Sequence, residues 1–369
     1  MTSSRLHQLS EQGQSVWLDF VSREALEDGT IERMIREDAV VGLTSNPTIF
    51  QKAIGAGDHY DDQLREVLQR TEDGKEAFLA LAVRDIQAAC DLLKEAFDRS
   101  GGVDGFVSIE VDPRLAADRD ATVEEAKRLK GLVDRENVYI KIPATPAGIG
   151  AIEDTIAAGI AVNVTLIFSI ERHREVMEAY LSGLERLVES GGDPTHVPSV
   201  ASFFVSRVDT EADKRLEEAG AKELRGKLAV ANAKLAYQAY KEVFAGERWE
   251  KLKAAGAKVQ RPLWASTSVK NPDYRDVLYV EELIGPETVN TMPPETIEAF
   301  QDHGEVAATI EQDVDGARKV FDDVRAAGVD LDDLFLTLET EGVEKFAKSF
   351  ADLFEDVKAK RDELAAATT

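Results

Sequence analysis

The sequence predicts a single (β/α)8 barrel. Eight short β-rich runs alternate with longer segments of helical periodicity, and on nearly every run polar and aliphatic side chains fall on opposite faces. In addition, no Gly-rich phosphate fingerprint follows any run, which argues against an open doubly wound sheet: "GAGDHY" and "GGVDGF" match neither dinucleotide nor P-loop spacing. The runs are "SVWLDF" (15–20), "VVGLTS" (40–45), "GFVSIEV" (105–111), "VYIKIPA" (138–144), "IAVNVTLIF" (160–168), "VPSVASFFV" (197–205), "RPLWAST" (261–267) and "TVNTM" (288–292). Between them lie segments of 3.6-residue period such as "ATVEEAKRLKGLVDRE", several preceded by a Ser, Thr or Asp suited to capping a helix. Such alternation requires parallel pairing through right-handed crossovers. Residues 1–369 read as one domain. It carries helical insertions at about 47–99 and 207–257, and a helical, acidic C-terminal segment at about 300–369 that packs on the barrel.

Composition narrows the function. The 369 residues include 43% hydrophobic ones, enough for a sizeable core. Lys and Arg total 44 against 70 Asp and Glu, and a net charge of −26 repels nucleic acid and anionic membranes. Cys90 is the sole cysteine, so no internal disulfide framework exists, and the five histidines lack metal-ligand spacing. The opening "MTSSRLHQLSEQGQ" has no apolar signal core and no apolar run approaches the ~18 residues of a membrane span. A cytoplasmic protein without structural metal is expected.

The polar residues of the runs carry the chemistry. Side chains of one parity share a face of a strand. Trp17 and Asp19 share one; so do Gly42, Thr44 and Asn46; Ser108, Glu110 and Asp112; Lys141 with Tyr139 and Pro143; Asn163 and Thr165; Ser202 and Phe204; and Trp264, Ser266 and Ser268. In a barrel these sets point inward near the C-terminal strand ends, where barrels place active sites. Each residue alone has an ordinary explanation. A strand lysine can sit at an edge with its amine in water, Asp19 can cap a helix, and Asn46 before Pro47 reads as an N-cap with Pro at the first helical position. Chance gives no reason for one amine, two carboxylates, two amides and three hydroxyls to converge.

Lys141 sets the reaction class. At its unperturbed pKa of about 10.4 only about 0.04% of a lysine amine is neutral at pH 7. Desolvation disfavours the ammonium and can make a buried lysine a nucleophile toward a ketone carbonyl. The resulting iminium is an electron sink, so a neighbouring C–C bond can break and leave an enamine, without any cofactor. Asp19 and Glu110 are suited to the proton transfers, and Thr165 to holding the water that carries protons.

The motifs "VWLDF", "GLTSNPTIF", "VSIEVDPRLA", "VYIKIPAT", "VNVTLIFS", "VASFFVSRVD" and "LWASTSVKNP" resemble, in order, the strand-end motifs of the transaldolases over about residues 15–300. The resemblance implies an (α/β)8 barrel that moves a dihydroxyacetone unit between ketose and aldose phosphates in the non-oxidative pentose phosphate pathway, without cofactor. It implies that Lys141 forms the Schiff base, that Asp19 is the acid/base of C–C cleavage and formation, and that Glu110 and Thr165 position the water. Thr44, Asn46, Asn163 and Ser202 would bind the dihydroxyacetone part; Arg207 and Ser266 would hold the phosphate. The sequence departs from the pattern where many members carry a second phosphate-binding arginine: here that residue is Ser268, with Lys270 as a substitute lacking the arginine fork. A fructose 6-phosphate aldolase-like enzyme is the nearer alternative. Those relatives are much shorter and tend to have a tyrosine near the catalytic water where this chain has Phe204. A non-catalytic sugar-phosphate-binding barrel is the more distant one. A homodimer is left open.

Overall fold

The computed structural model describes residues 4–71 and 73–366. Eight parallel strands close into a barrel in sequence order: β1 (Gln14–Leu18), β2 (Val40–Leu43), β3 (Val107–Glu110), β4 (Val138–Pro143), β5 (Val162–Ile167), β6 (Ser199–Phe204), β7 (Gln260–Ala265) and β8 (Thr288–Met292). β1 closes on β8 from Gln14↔Thr288 to Leu18↔Met292. The expected barrel is therefore present, with all eight runs as strands. Most strands end before the polar run does. Asp19, Thr44, Asn46, Asp112, Ser266 and Ser268 lie just past strand ends, where a two-residue alternation no longer determines direction.

Caps explain several of these endings. Asn46 accepts from the Ile49 amide and Pro47 opens the helix Pro47–Gly55 directly after β2. Thr145 accepts from the Gly148 amide and Pro146 opens Pro146–Ala157 after β4. Ser169 accepts from the Arg172 amide at the head of Ile170–Glu189 after β5. A polar cap followed by a residue preset for a helix turns the chain out of the sheet within one or two residues. Asp112 departs from the expected inward set. It caps the turn Pro113–Leu115 and pairs with Arg114 at 2.6 Å and Lys75 at 3.2 Å, so its carboxylate faces the outer layer.

The barrel interior has two levels. Toward the N-terminal end Trp17 stacks on Tyr139 (centroids 6.1 Å apart) and Tyr139 on Phe106 (4.0 Å), while buried Arg261 pairs with Asp104 at 2.9 Å. Asp104 also accepts from Trp17 Nε1, and Arg261 donates to Ser15 Oγ. Above this plug the interior is polar. The 47–99 insertion forms the helices Pro47–Gly55, Asp61–Leu68 and Gly74–Arg99. The C-terminal segment ends in the helix Leu331–Ala366, about 54 Å long at 1.5 Å per residue. It lies against the first insertion through Thr48 with Ser349 (2.9 Å) and Phe78 with Phe350 (5.5 Å), and against the helix Ser206–Glu218 through Arg215 with Asp333 (2.7 Å). Gly342 brings it down onto β5, where a Cβ would meet Leu166 Cδ2 at 3.0 Å.

Gly42 is the tightest point of the aromatic plug, because a Cβ there would stand 2.3 Å from the Trp17 ring. Gly42→Ala should lower stability by roughly 1 to 3 kcal/mol or more through overpacking. Gly55→Ala, which meets nothing within 4 Å, should be near neutral. Urea denaturation midpoints read both; equal midpoints would refute the packing account.

Candidate active site

Lys141 stands on β4 beside Glu110 of β3, in direct register. Its amine is 3.4 Å from Glu110 Oε2 and donates to the Ser45 carbonyl at 3.3 Å. Lys141 is 5% exposed and Glu110 8%. The pair is an ion pair rather than an aligned hydrogen bond, and both Glu110 oxygens are buried without a hydrogen-bond partner among the described residues. Burial holds the Glu110 carboxyl above the usual carboxylate range, against the pull of the Lys141 charge. Two potential acceptors thus remain beside the amine.

Asp19 follows β1, fixed by its amide, which donates to the Met292 carbonyl at 2.8 Å. Thr44 Oγ1 donates to Asp19 Oδ1 at 2.6 Å and lies 2.7 Å from Thr291 Oγ1, a chain that orients the carboxyl. Enclosure by the protein also pushes Asp19 up, opposed by Lys141, the Thr44 bond and Arg207. Two carboxyls that burial makes readier to keep a proton thus act on one amine.

Asn163, beside Lys141 in the β4–β5 register, is fully buried. Its amide donates to Ser108 Oγ at 3.0 Å and accepts from Ser202 Oγ at 2.7 Å, which fixes Ser202 on β6. On β5 three residues from Val164 to Ile167 span two on β6, and Leu166 adopts φ 59°. This bulge breaks the strand's alternation next to Thr165, whose Oγ1 is buried and has no hydrogen-bond partner among the described residues. Ser266, at φ 56°, likewise leaves β7 in a left-handed turn; its hydroxyl is 2.9 Å from Ser206 Oγ.

A cavity of about 850 Å³ opens above these groups. It is lined by Asp19, Thr44, Asn46, Lys141, Thr165, Ser202, Phe204, Arg207, Ser266, Ser268 and Lys270. Glu110 and Asn163 are the two expected site residues that stand behind the lining. Asn46 uses Oδ1 as the helix cap and leaves its amide nitrogen without a partner among the described residues, so the capping and site readings are compatible. Arg207 lies in the first turn of Ser206–Glu218 with its guanidinium 5.0 Å from the Phe204 ring centre. It makes no ion pair among the described residues. Lys270 donates to Ser268 Oγ at 2.6 Å, so these two residues form one unit at the mouth.

Several neighbours were not legible as site residues. Ser45 and Thr291 act through a carbonyl and a hydroxyl, and the polar pair Asn290–Thr291 in "TVNTM" was the available signal for the eighth strand. The larger omission is the helix Leu331–Ala366. Its Phe346 ring lies 5.7 Å from Lys141 Nζ and 5.8 Å from the Arg207 guanidinium, and Leu338, Glu341, Gly342 and Lys345 line the same cavity. Nothing in its sequence distinguishes these positions from an ordinary amphipathic helix.

Arg207 is braced from behind. Buried Asp209, on the same helix, accepts from the Ala229 amide at 2.8 Å and Tyr279 Oη at 2.9 Å; Asp213 accepts from the Gly226 amide and Tyr274 Oη. Burial raises Asp209 from its ordinary 3.8 to about 7. Between those values the native state keeps a proton that the unfolded chain has released, so stability falls as pH rises through about 7. Asp209→Asn should therefore remove a loss on the order of 2 to 3 kcal/mol between pH 5 and pH 8. Denaturation curves at both pH values test this; equal pH dependence in variant and wild type would contradict it.

The sequence matches the Transaldolase/Fructose-6-phosphate aldolase family over residues 16–357. It is 54% identical over 358 residues to a transaldolase of Mycolicibacterium smegmatis, covering 96% of each chain. It is 53% identical over 355 residues to one of Frankia alni (95% of this chain, 96% of that one), and 52% identical over 362 residues to one of Mycobacterium leprae (97% and 96%).

Proposed function

The chain belongs to the Transaldolase/Fructose-6-phosphate aldolase family and is an enzyme of the transaldolase type, a transferase; from that premise we propose how its residues carry out the transfer. The observation that carries the proposal is the buried Lys141 amine, 3.4 Å from Glu110 and under the same cavity that Asp19 lines. The Lys141 nitrogen adds to the C2 carbonyl of a ketose phosphate, and the oxygen leaves as water as the iminium forms. Glu110 and Thr165, whose buried side-chain oxygens have no hydrogen-bond partner among the described residues, hold that water and pass its protons. Asp19 takes the proton of the C4 hydroxyl, the C3–C4 bond breaks, and its electron pair moves toward the iminium to give an enamine. The shortened aldose phosphate departs. C3 of the enamine then attacks the aldehyde of the acceptor, Asp19 returns the proton to the new alkoxide, and water releases the product from Lys141.

Thr44, Asn46 and Ser202 border the cavity near the amine and would hold the dihydroxyacetone hydroxyls, with Asn163 fixing Ser202 from below. Arg207 and Ser266 would hold the phosphate at the head of Ser206–Glu218, where the helix end also favours an anion. The substrates we assign are sedoheptulose 7-phosphate with glyceraldehyde 3-phosphate, giving erythrose 4-phosphate and fructose 6-phosphate, in the non-oxidative pentose phosphate pathway. Phe204, 5% exposed, packs on Phe168 and offers no hydroxyl to activate water, which favours transfer over release of free dihydroxyacetone. We also take residues 1–369 as one functional unit, since the C-terminal helix lines the cavity. Among the described residues no helix is long and apolar enough to cross a membrane. A cytoplasmic location is our inference from the substrates.

Borohydride with fructose 6-phosphate should fix a reduced dihydroxyacetone unit on the Lys141 peptide, found by peptide mapping; label on another lysine would sink the assignment. Asp19→Asn should still accumulate trapped adduct while transfer stops, whereas Glu110→Gln should slow trapping itself. Equal trapping rates in both would refute that division of labour. Arg207→Ala should lower kcat/KM for phosphorylated acceptors by roughly 10- to 150-fold, the kinetic equivalent of a lost charge-assisted bond, and leave glyceraldehyde nearly unaffected. An equal loss with both acceptors would make Arg207 structural.

A further inference from the structure

Four cations ring the cavity without a carboxylate partner among the described residues: Arg207, Lys52, Lys270 and Lys345. They come from four separate segments of a chain with 70 acidic and 44 basic residues, in which a nearby acid is the easiest thing to find. Lys345 is the most informative. It lies four residues after Glu341, the spacing and order that favour an ion pair on a helix, yet the two make none. Instead Lys345 lies over the cavity, next in sequence to Phe346, whose ring contacts Arg207. Its ammonium is pushed below the ordinary lysine range, first by the charge of Arg207, then by partial burial, Lys270 and Lys52. Asp19 and Glu110 attract Arg207, but among the described residues no carboxylate forms an ion pair with any of the four cations, an arrangement suited to an anion from outside.

Acidic side chains also border the cavity, Asp19 among them, but none forms an ion pair with this group among the described residues. Glu211 is engaged by Arg215 at 2.7 Å. Glu295 acts on Asp19, across the cavity. Lys270 is already bound to Ser268 Oγ.

We propose that Lys345 is the second cation of the phosphate subsite, so that Arg207 from the barrel and Lys345 from the helix Leu331–Ala366 hold the phosphate monoester of the substrate between them. This deepens the functional reading above and rests on it for the identity of the ligand. It gives the C-terminal helix a place in substrate recognition: Phe346 roofs the amine and the adjacent Lys345 reaches the dianion. A phosphorylated substrate then stabilises the docked helix, and an unphosphorylated one does not.

The test uses the full chain with Lys345→Gln, Lys345→Arg and Lys270→Gln, after denaturation midpoints equal to wild type show the helix still packed. With fructose 6-phosphate as donor, Lys345→Gln should lower kcat/KM for erythrose 4-phosphate about tenfold and leave glyceraldehyde unchanged. Lys345→Arg should keep most of the activity, and Lys270→Gln should lose less than Lys345→Gln. Inorganic phosphate binding, followed by calorimetry, needs no turnover and should weaken about tenfold in Lys345→Gln and less in Lys270→Gln. Unchanged phosphate binding in that variant, or an equal loss with both acceptors, would overturn the inference. Phosphate binding that depends on Lys345 in a wild type incapable of transfer would instead support this subsite and overturn the transaldolase reading.

Discussion

The ion pair of Lys141 and Glu110 is the constraint that organises the barrel. Two charges withdrawn from water cost several kcal/mol each, and their attraction offsets this only where further polar contacts complete the pair. Here completion is partial. The amine has the Ser45 carbonyl, but the carboxylate oxygens have no hydrogen-bond donor among the described residues, and burial raises the Glu110 carboxyl above its ordinary range. A group that can take up a proton instead of remaining an uncompensated charge makes the arrangement tolerable, and the same property makes it able to move protons. Stability and reactivity thus place the same demand on one pair of neighbouring strands.

The rest of the interior keeps that pair isolated. Below it the stack of Trp17, Tyr139 and Phe106, sealed by Arg261 and Asp104, fills the barrel and leaves reactants only the C-terminal end. Beside it Asn163 bonds both Ser108 and Ser202, so the polar groups around the lysine hold one another in place. Two departures from regular geometry also fall here. Leu166 and Ser266 adopt positive φ next to Thr165 and Ser206, at the strand ends where side chains must be aimed into the cavity.

Periodicity made the barrel legible. Eight short alternating runs leave few topologies, and each became a strand within about two residues of its expected ends apart from Asp19 and its counterparts at the C-terminal ends. Those displaced residues are instructive. Asp19, Thr44 and Asn46 reach the cavity although they lie beyond the strands, because capped, short turns hold them there; Asp112, equally placed by parity, turned outward to Arg114 and Lys75. Alternation identifies which residue types converge and fails where the strand stops. Lys345 and Phe346 were illegible for a different reason. Their position depends on how a helix about 200 residues downstream of Lys141 docks, and a tertiary contact of that kind leaves no local period in the sequence.

The overall acidity of the chain then has a clear physical limit. A net charge of −26 should oppose approach of a phosphate dianion, but at physiological ionic strength the field of exposed charges fades over a Debye length of about 8 Å. Inside the cavity nearby groups dominate, and there Arg207, Lys345, Lys52 and Lys270 make no ion pair among the described residues. Arg207 is further held between the faces of Phe204 and Phe346, which leave its guanidinium less hydrated without neutralising it. In the proposed subsite the local cations would therefore outweigh the distant acids. Because one of those cations and one of those rings arrive on the final helix, the charge balance of the mouth depends on that helix being in place.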